Sequence, residues 1–178
     1  MFIGPMFSGK STELLRQVKR YKSIGMNVLL INHTNDIRTG DSIKTHDNCK
    51  HTALKINNLM TLVDNNMLKD TNVIAIDEAQ FFSDLKQFIL SIEKKNVILY
   101  IAGLDGDSNR NPFGQILECI PLCDTVVKLR ALDMMECDGN TKAPFTLRLT
   151  NQTNTQIQIG AKDAYKAVSR KNYLTFFK

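Results

Sequence analysis

The chain has no apolar run long enough to span a membrane, and no hydrophobic leader precedes its first motif. Those two absences predict a cytoplasmic protein with no membrane partner. Cysteine is sparse: Cys49, Cys119, Cys123 and Cys137 fall at spacings that make no disulfide framework. In a cytosolic protein they read as free thiols. Internal repeats and linkers are missing too, so 178 residues suit one good core with at most a small appended subdomain. Dense basic clustering is also lacking. The formal charge is +5 and the isoelectric point about 9.0, an excess that suits an anionic substrate, whereas nucleic-acid binders concentrate their basic residues more strongly. The one dense patch, Arg16, Lys19, Arg20 and Lys22, reads as the solvated face of a helix. No nucleic-acid partner is expected.

What is present begins at the fourth residue. Gly4-Pro5-Met6-Phe7-Ser8-Gly9-Lys10-Ser11 matches G-x-x-x-x-G-K-[ST], the loop whose backbone N–H groups curl around nucleotide phosphates. Lys10 would reach the β- and γ-phosphates, and the Ser11 hydroxyl would hold Mg²⁺. Phe2-Ile3 closes an apolar strand before the loop. Leu14, Leu15, Val18 and Tyr21 follow at helical spacing. Phosphate would therefore lie on a helix N-terminus, where free N–H groups and the helix dipole favour negative charge. Only three residues precede Gly4, fewer than the five or so of an ordinary strand. The first strand is either unusually short or continues upstream of Met1, and the sequence reading favours the latter.

Strand and helix patterns alternate over the first two-thirds. Val28–Ile31, Val73–Ile76 and Val97–Ala102 are apolar throughout, as parallel strands covered on both faces require. Ala53–Ile56 reads as a further short strand. The first helix is expected to stop at Gly25, Asn58–Leu68 to form a second, and Ser83 to cap a third bearing Leu85, Phe88, Ile89 and Ile92. His33–Lys50 reads as a long polar loop of functional type. Val126-Val127 makes another strand, which Leu129–Met135 would continue. Beyond a turn at Asp138-Gly139-Asn140, Pro144–Leu149 alternates like a strand. Thr150–Thr155 reads as an exposed loop, and Ile157 and Ile159 as a short strand before Gly160. The fold class is α/β, a P-loop (RecA-like) mostly parallel sheet with helices on both faces plus a small β-rich subdomain. The expected division is residues 1–130 and 131–178.

Asp77-Glu78 closes an apolar strand, where a Mg²⁺-organising acid belongs in this kind of nucleotide-binding fold. Successive strand residues face opposite ways, so the two carboxylates need not share a role. Asp77 can address the metal through water, while Glu78 beside the γ-phosphate suits a general base. Ligands of open α/β sheets bind beyond the carboxyl ends of the strands, and Gly4, Asp77 and Gly103-Leu104-Asp105 all fall there. Phe81 offers an aromatic face for a flat base, and Phe82 reads as core.

Taken together these segments resemble the thymidine kinases of the cellular and poxviral type, the small P-loop family. The resemblance rests on Gly4 to Leu14 with Arg20-Tyr21, Thr45-His46-Asp47, Ile76 to Phe82, Gly103 to Gly106 with Pro112-Phe113, Val126 to Leu129, and the pattern from Thr146 to Tyr173. It implies ATP-dependent phosphorylation of the 5′-hydroxyl of thymidine, and of deoxyuridine, with Glu78 matching the catalytic base. Gln80-Phe81 match residues beside the base pocket, and Met6 one near the thymine methyl. Asp36 and Arg38 match an Asp-x-Arg element near the phosphate-transfer site. A lasso loop, here roughly Leu149 to Tyr165, grips the base through backbone around Ile157, Gln158, Ile159 and Gly160. Thr146 and Tyr165 belong to the same substrate side. The family also implies a homotetramer, inhibited by an end-product triphosphate in the nucleoside site.

Two departures stand out. Family members carry a structural zinc on two C-x-x-C pairs. Here those stretches read Asp133-Met134-Met135-Glu136-Cys137 and Ser169-Arg170-Lys171-Asn172. A closed zinc site wants four Cys or His ligands, so structural zinc is expected to be absent, with Phe145, Leu147, Tyr173 and Phe176 packing in its stead. Second, Asp107-Ser108-Asn109 stands where the family places an aromatic that helps enclose the base. Two rival readings remain. Asp77-Glu78-Ala79-Gln80 resembles a helicase box, although a helicase needs a second domain and strand-tracking arginines. A catalytically degenerate nucleotide-binding protein is the other.

Overall fold

Successive apolar side chains of the central strands point to opposite faces and build two cores, one on each face of a sheet. In the computed structural model, which describes residues 1–36, 42–44, 50–149 and 164–176, six parallel strands form that sheet. They are β1 (Phe2–Gly4), β2 (Val28–His33), β5 (Leu54–Ile56), β6 (Val73–Ile76), β7 (Ile98–Leu104) and β8 (Val127–Lys128), in the order β5-β2-β6-β7-β1-β8. Helix α1 (Lys10–Ser23) covers one face. Its Leu14, Leu15 and Val18 pack with Phe2, Leu30, Ala75 and Ala102. On the other face Ile3, Ile31, Ile74, Ile76 and Ile101 meet helices α2 (Met60–Asp64) and α3 (Leu85–Ile92), through Leu62, Phe88, Ile89 and Ile92. Arg16, Lys19, Arg20 and Lys22 are exposed on α1, as the polar-face reading requires.

Strand β1 is three residues long and lies one strand in from the edge of the sheet. Its neighbours are β7 and β8, and the Met1 ammonium donates to the Thr125 carbonyl at 2.7 Å. Several elements differ from the sequence expectation for physical reasons. The predicted helix Asn58–Leu68 is cut to α2. Asn66 takes a left-handed φ of 53°, Asn66 N–H bonds Val63 O, and Met67 N–H bonds Leu62 O. That pair of bonds is the Schellman stop, which asparagine tolerates. Ser83 does not cap α3. Asp84 occupies the cap position without capping its own helix, and its Oδ2 instead accepts the Met60 N–H that opens α2, at 2.8 Å.

The stretch His33–Lys50 is not all loop. β2 runs on to His33, and β3 (Ser42–Lys44) pairs antiparallel with β4 (Lys50–Thr52). The strand at Val127 ends at Lys128 instead of continuing to Met135. Ala131–Leu132 forms a separate strand, β9, antiparallel to β10 (Lys142–Ala143). Strand β11 (Phe145–Arg148) pairs antiparallel with β12 (Tyr165–Val168), and α4 (Arg170–Phe176) follows. Leu147, Val168 and Tyr173 form a small core with Phe145 and Leu149. Phe176, expected there, is 43% exposed. No helix of the described residues is long and apolar enough to cross a membrane.

Candidate active site

Because every strand of the main sheet is parallel, the carboxyl ends of all six lie on one edge. That edge gathers the glycine-rich loop after β1, His33 at the end of β2 with the turn to Asp36, Asp77-Glu78 after β6 and Asp105 after β7. Strand β7 separates β1 from β6. The loop and the acidic pair are thus two strand spacings apart, about 10 Å.

The loop from Gly4 to Ser11 is wound by three positive φ angles, at Gly4 (144°), Phe7 (64°) and Gly9 (83°). A Cβ on Gly4 would lie 2.4 Å from the Leu129 carbonyl oxygen, so that glycine is dictated by a neighbouring backbone. Lys10 is buried, and its Nζ donates to the Pro5 carbonyl at 2.6 Å; the Ser8 hydroxyl donates to the same carbonyl at 2.9 Å. Ser11 sits in the first turn of α1. From the other side the small subdomain braces the loop. Met6 N–H donates to Thr146 Oγ1 at 3.0 Å, and the Phe7 ring packs on Ala131, Ala143 and Ala167.

At the end of β6, Asp77 is 2% exposed and accepts the Glu78 N–H at 3.0 Å. Glu78 adopts a left-handed backbone, φ 51° and ψ 39°. That conformation is costly for a residue with a side chain and is tolerated mainly at functional turns. It turns the chain into a 3-10 segment, Ala79–Phe81. Gln80 is buried there, and its Nε2 donates to Glu78 Oε2 at 2.6 Å. Phe82 is fully buried, whereas Phe81 is partly open and meets Phe113 edge-on at 5.6 Å.

Asp36 is also buried. Its Oδ2 accepts Asn32 Nδ2 at 2.8 Å, and its carbonyl accepts Lys55 Nζ at 2.6 Å. His33 orders this turn: its Nδ1 accepts the Asn35 N–H at 3.0 Å and its ring lies 4.7 Å from Phe82 and 5.6 Å from Phe81. Burial lowers the His33 pKa, which keeps the imidazole neutral in that role. Asn32, His33 and Lys55 were not singled out by sequence reasoning. For Asn32 and His33 the signal was a polar end to an otherwise apolar strand; Lys55, in β5, carried none.

In the subdomain, Thr146 pairs with Ala167 and Arg148 with Tyr165 across β11 and β12. Directly opposed residues share a face, so Tyr165 lies on the side that meets the phosphate loop. Its ring centre is 6.0 Å from the Arg148 guanidinium carbon. Ser108 contributes its carbonyl, which accepts the Tyr173 hydroxyl at 2.7 Å. Asp107 ties that loop by accepting the N–H groups of Asn109 and Asn111 at 2.9 and 2.8 Å. Arg38, Ile157, Gln158, Ile159 and Gly160 lie outside the described residues, as do Thr45, His46, Asp47 and Cys49. Among the described residues no group of three or more His, Cys, Asp or Glu side chains is arranged to hold a metal.

Comparison with known proteins is consistent over the full length. The family model described as "Thymidine kinase" matches residues 1–173. Proteins named thymidine kinase from raccoon poxvirus, monkeypox virus and vaccinia virus (strain Western Reserve) are each 41% identical over 174 residues, covering 98% of this chain and 95% of the relative.

Proposed function

As the chain belongs to the thymidine kinase family, we propose that it transfers the terminal phosphoryl group of ATP to the 5′-hydroxyl of thymidine, and of deoxyuridine, with Glu78 as general base. The observation that carries the assignment of the base is the left-handed turn at Glu78, directly after buried Asp77, on the sheet edge that also bears the phosphate loop. Phosphoryl transfer asks little covalent work of a protein, so catalysis is positioning plus charge stabilisation. The loop N–H groups and the start of α1 bind the phosphates. Lys10 exchanges the Pro5 carbonyl for a phosphate oxygen. The donor set fits Mg²⁺: the hydroxyl of Ser11 in the first turn of α1 and the buried carboxylate of Asp77 are hard oxygen ligands. When bound, that ion neutralises charge on the β- and γ-phosphate oxygens. Glu78 takes the proton of the attacking hydroxyl. Asp36 and Arg38 flank the transfer site, Met6, Phe81, Thr146 and Tyr165 line the nucleoside, and the backbone of residues 157–160 holds the base edge. A homotetrameric, cytoplasmic enzyme under feedback from its end-product triphosphate completes the reading.

Zinc does not belong to it. The positions that the family gives to zinc ligands are wired together by N–H donors. Asp133 Oδ1 accepts the N–H of Met135 at 2.7 Å and of Glu136 at 3.2 Å; Oδ2 accepts Ser169 N–H at 2.6 Å and Asn172 Nδ2 at 3.0 Å. Asn172 Nδ2 also donates to Glu136 Oε1 at 3.2 Å. An amide NH₂ facing the centre repels a cation, and a carboxylate with both oxygens engaged has little left to offer one. The cluster is a clasp between the turn after β9 and the start of α4.

The test is transfer from ATP and Mg²⁺ to thymidine, with deoxyuridine, deoxycytidine and no nucleoside in parallel. Glu78→Gln should lower kcat by about 10²–10⁴-fold, the usual worth of a general base. ATP binding without thymidine monophosphate formation in the unmodified protein would establish a degenerate kinase instead.

A further inference from the structure

Gln80 lies two residues beyond Glu78 and is 3% exposed. Its amide makes two hydrogen bonds of opposite polarity. The Leu104 backbone N–H, at the end of β7, donates to Oε1 at 3.0 Å. On the other side Nε2 donates to Glu78 Oε2 at 2.6 Å. The first bond dictates the second. Flipping the amide would set its NH₂ against an N–H and its oxygen against a carboxylate, so the orientation is fixed by the backbone of β7.

The walls around this side chain are equally rigid. A Cβ on Gly103 would lie 2.8 Å from Gln80 Oε1 and 2.3 Å from Ile116 Cδ1. A Cβ on Gly114, where φ is 57°, would lie 2.1 Å from the Gln80 carbonyl oxygen. Both glycines are small because Gln80 and its backbone pass so close. A side chain gripped in this way is a poor sensor of a nucleobase and a good support for a neighbour.

We propose that Gln80 is a positioning residue for Glu78: held by Leu104, it engages Oε2 and so orients the carboxylate towards the hydroxyl of the substrate. The proposal rests on the reading of Glu78 as base. In the transfer, the 5′-oxygen bonds to the γ-phosphorus as the bond from that phosphorus to the bridging oxygen of ADP breaks. ADP departs with the electron pair, and the hydroxyl proton passes to the Glu78 carboxylate. Gln80 neither gives nor takes a proton. Its contribution is to hold the receiving oxygen on line, where a displacement of about 1 Å can cost 10²-fold in rate.

Three variants test this against the base reading. Gln80→Met keeps the volume and removes the donor. Its kcat should fall about 10–100-fold while KM for thymidine and for ATP stays within about two-fold. Combined with Glu78→Gln it should cost nothing further, because there is no carboxylate left to position. Gln80→Asn keeps the amide but is one methylene shorter, so it cannot span from Leu104 N–H to Glu78, and its kcat should fall about 10-fold or more with KM for thymidine and ATP within about two-fold. A raised KM for thymidine with unchanged kcat in Gln80→Met would overturn the proposal and make Gln80 a nucleoside-binding residue. An inactive Glu78→Gln beside a Gln80→Met of normal kcat would overturn it as well. Full activity in Glu78→Gln would instead remove the base reading itself. If Gln80→Met does not fold, Gln80→Asn decides alone: an unchanged kcat in that variant refutes the positioning role.

Discussion

Gly4 illustrates how a motif residue can be fixed by something other than the motif's ligand. The sequence motif assigns this glycine to the phosphate cradle, and its φ of 144° belongs to glycine. The structure adds a second constraint, the Leu129 carbonyl oxygen 2.4 Å from where a Cβ would stand. That oxygen follows β8 and is part of the backbone, so it cannot rotate away. Gly4→Ala should therefore destabilise the protein by about 3 kcal/mol, at the upper end of overpacking costs, whether or not nucleotide is present. Thermal unfolding of the nucleotide-free protein checks it: an unchanged Tm with weakened ATP binding would return Gly4 to a purely phosphate-binding role. Residues named by a motif were legible in the sequence because their spacing is local. For Gln80 the resemblance implied a place beside the base pocket, but its bond to the Leu104 N–H was not legible, because that partner lies 24 residues on, at the end of β7.

At the scale of elements, legibility followed burial. The apolar runs of β2, β6 and β7 announced themselves because both faces are covered. The β3–β4 hairpin did not, because its polar strands carry no apolar period to read. Helix α2 was overextended because Met67 and Leu68 continue the apolar pattern past the left-handed Asn66. At the positions where the family implies zinc ligands, the sequence shows the missing cysteines but not the hydrogen bonds that join the residues standing there. Asp133 is 3% exposed, and burial alone would raise its carboxyl. The N–H groups of Ser169, Met135 and Glu136 outweigh burial and hold it down to about 2. A depressed carboxyl contributes stability that is complete above its unfolded value near 3.8 and is lost as pH falls through about 2. Asp133→Asn puts an amide donor among these donors, and should cost about 2 kcal/mol at neutral pH and flatten the stability profile between pH 4 and 2. A chelator should leave Tm unchanged. Stoichiometric zinc in the purified protein, or a chelator-induced fall in Tm, would refute the metal-free clasp.

Across the whole molecule the decisive contacts join segments that are far apart in sequence. Met6 N–H reaches Thr146 Oγ1 across 140 positions, Phe7 packs on Ala131, Ala143 and Ala167, and the Tyr173 hydroxyl reaches the Ser108 carbonyl. Neither periodicity nor motif spacing encodes such pairings, which is why the subdomain read from sequence as an appendage resting on the core. In the fold it forms one wall of the phosphate loop. The same face of β11 and β12 that carries Thr146 also carries Tyr165. If this face holds the nucleoside and the loop the ATP, as proposed, ordering one also orders the other, and each ligand should strengthen the other by a coupling of about 1–3 kcal/mol. Thr146→Val keeps the shape of the side chain and removes the acceptor, leaving the Met6 N–H without its partner. In the unmodified protein, ATP and thymidine together should raise Tm by more than the sum of their separate shifts. In Thr146→Val that excess should shrink towards zero while each single shift persists. A variant that loses thymidine affinity but keeps the full excess would show that Thr146 serves the base pocket alone and that the two sites communicate by another route.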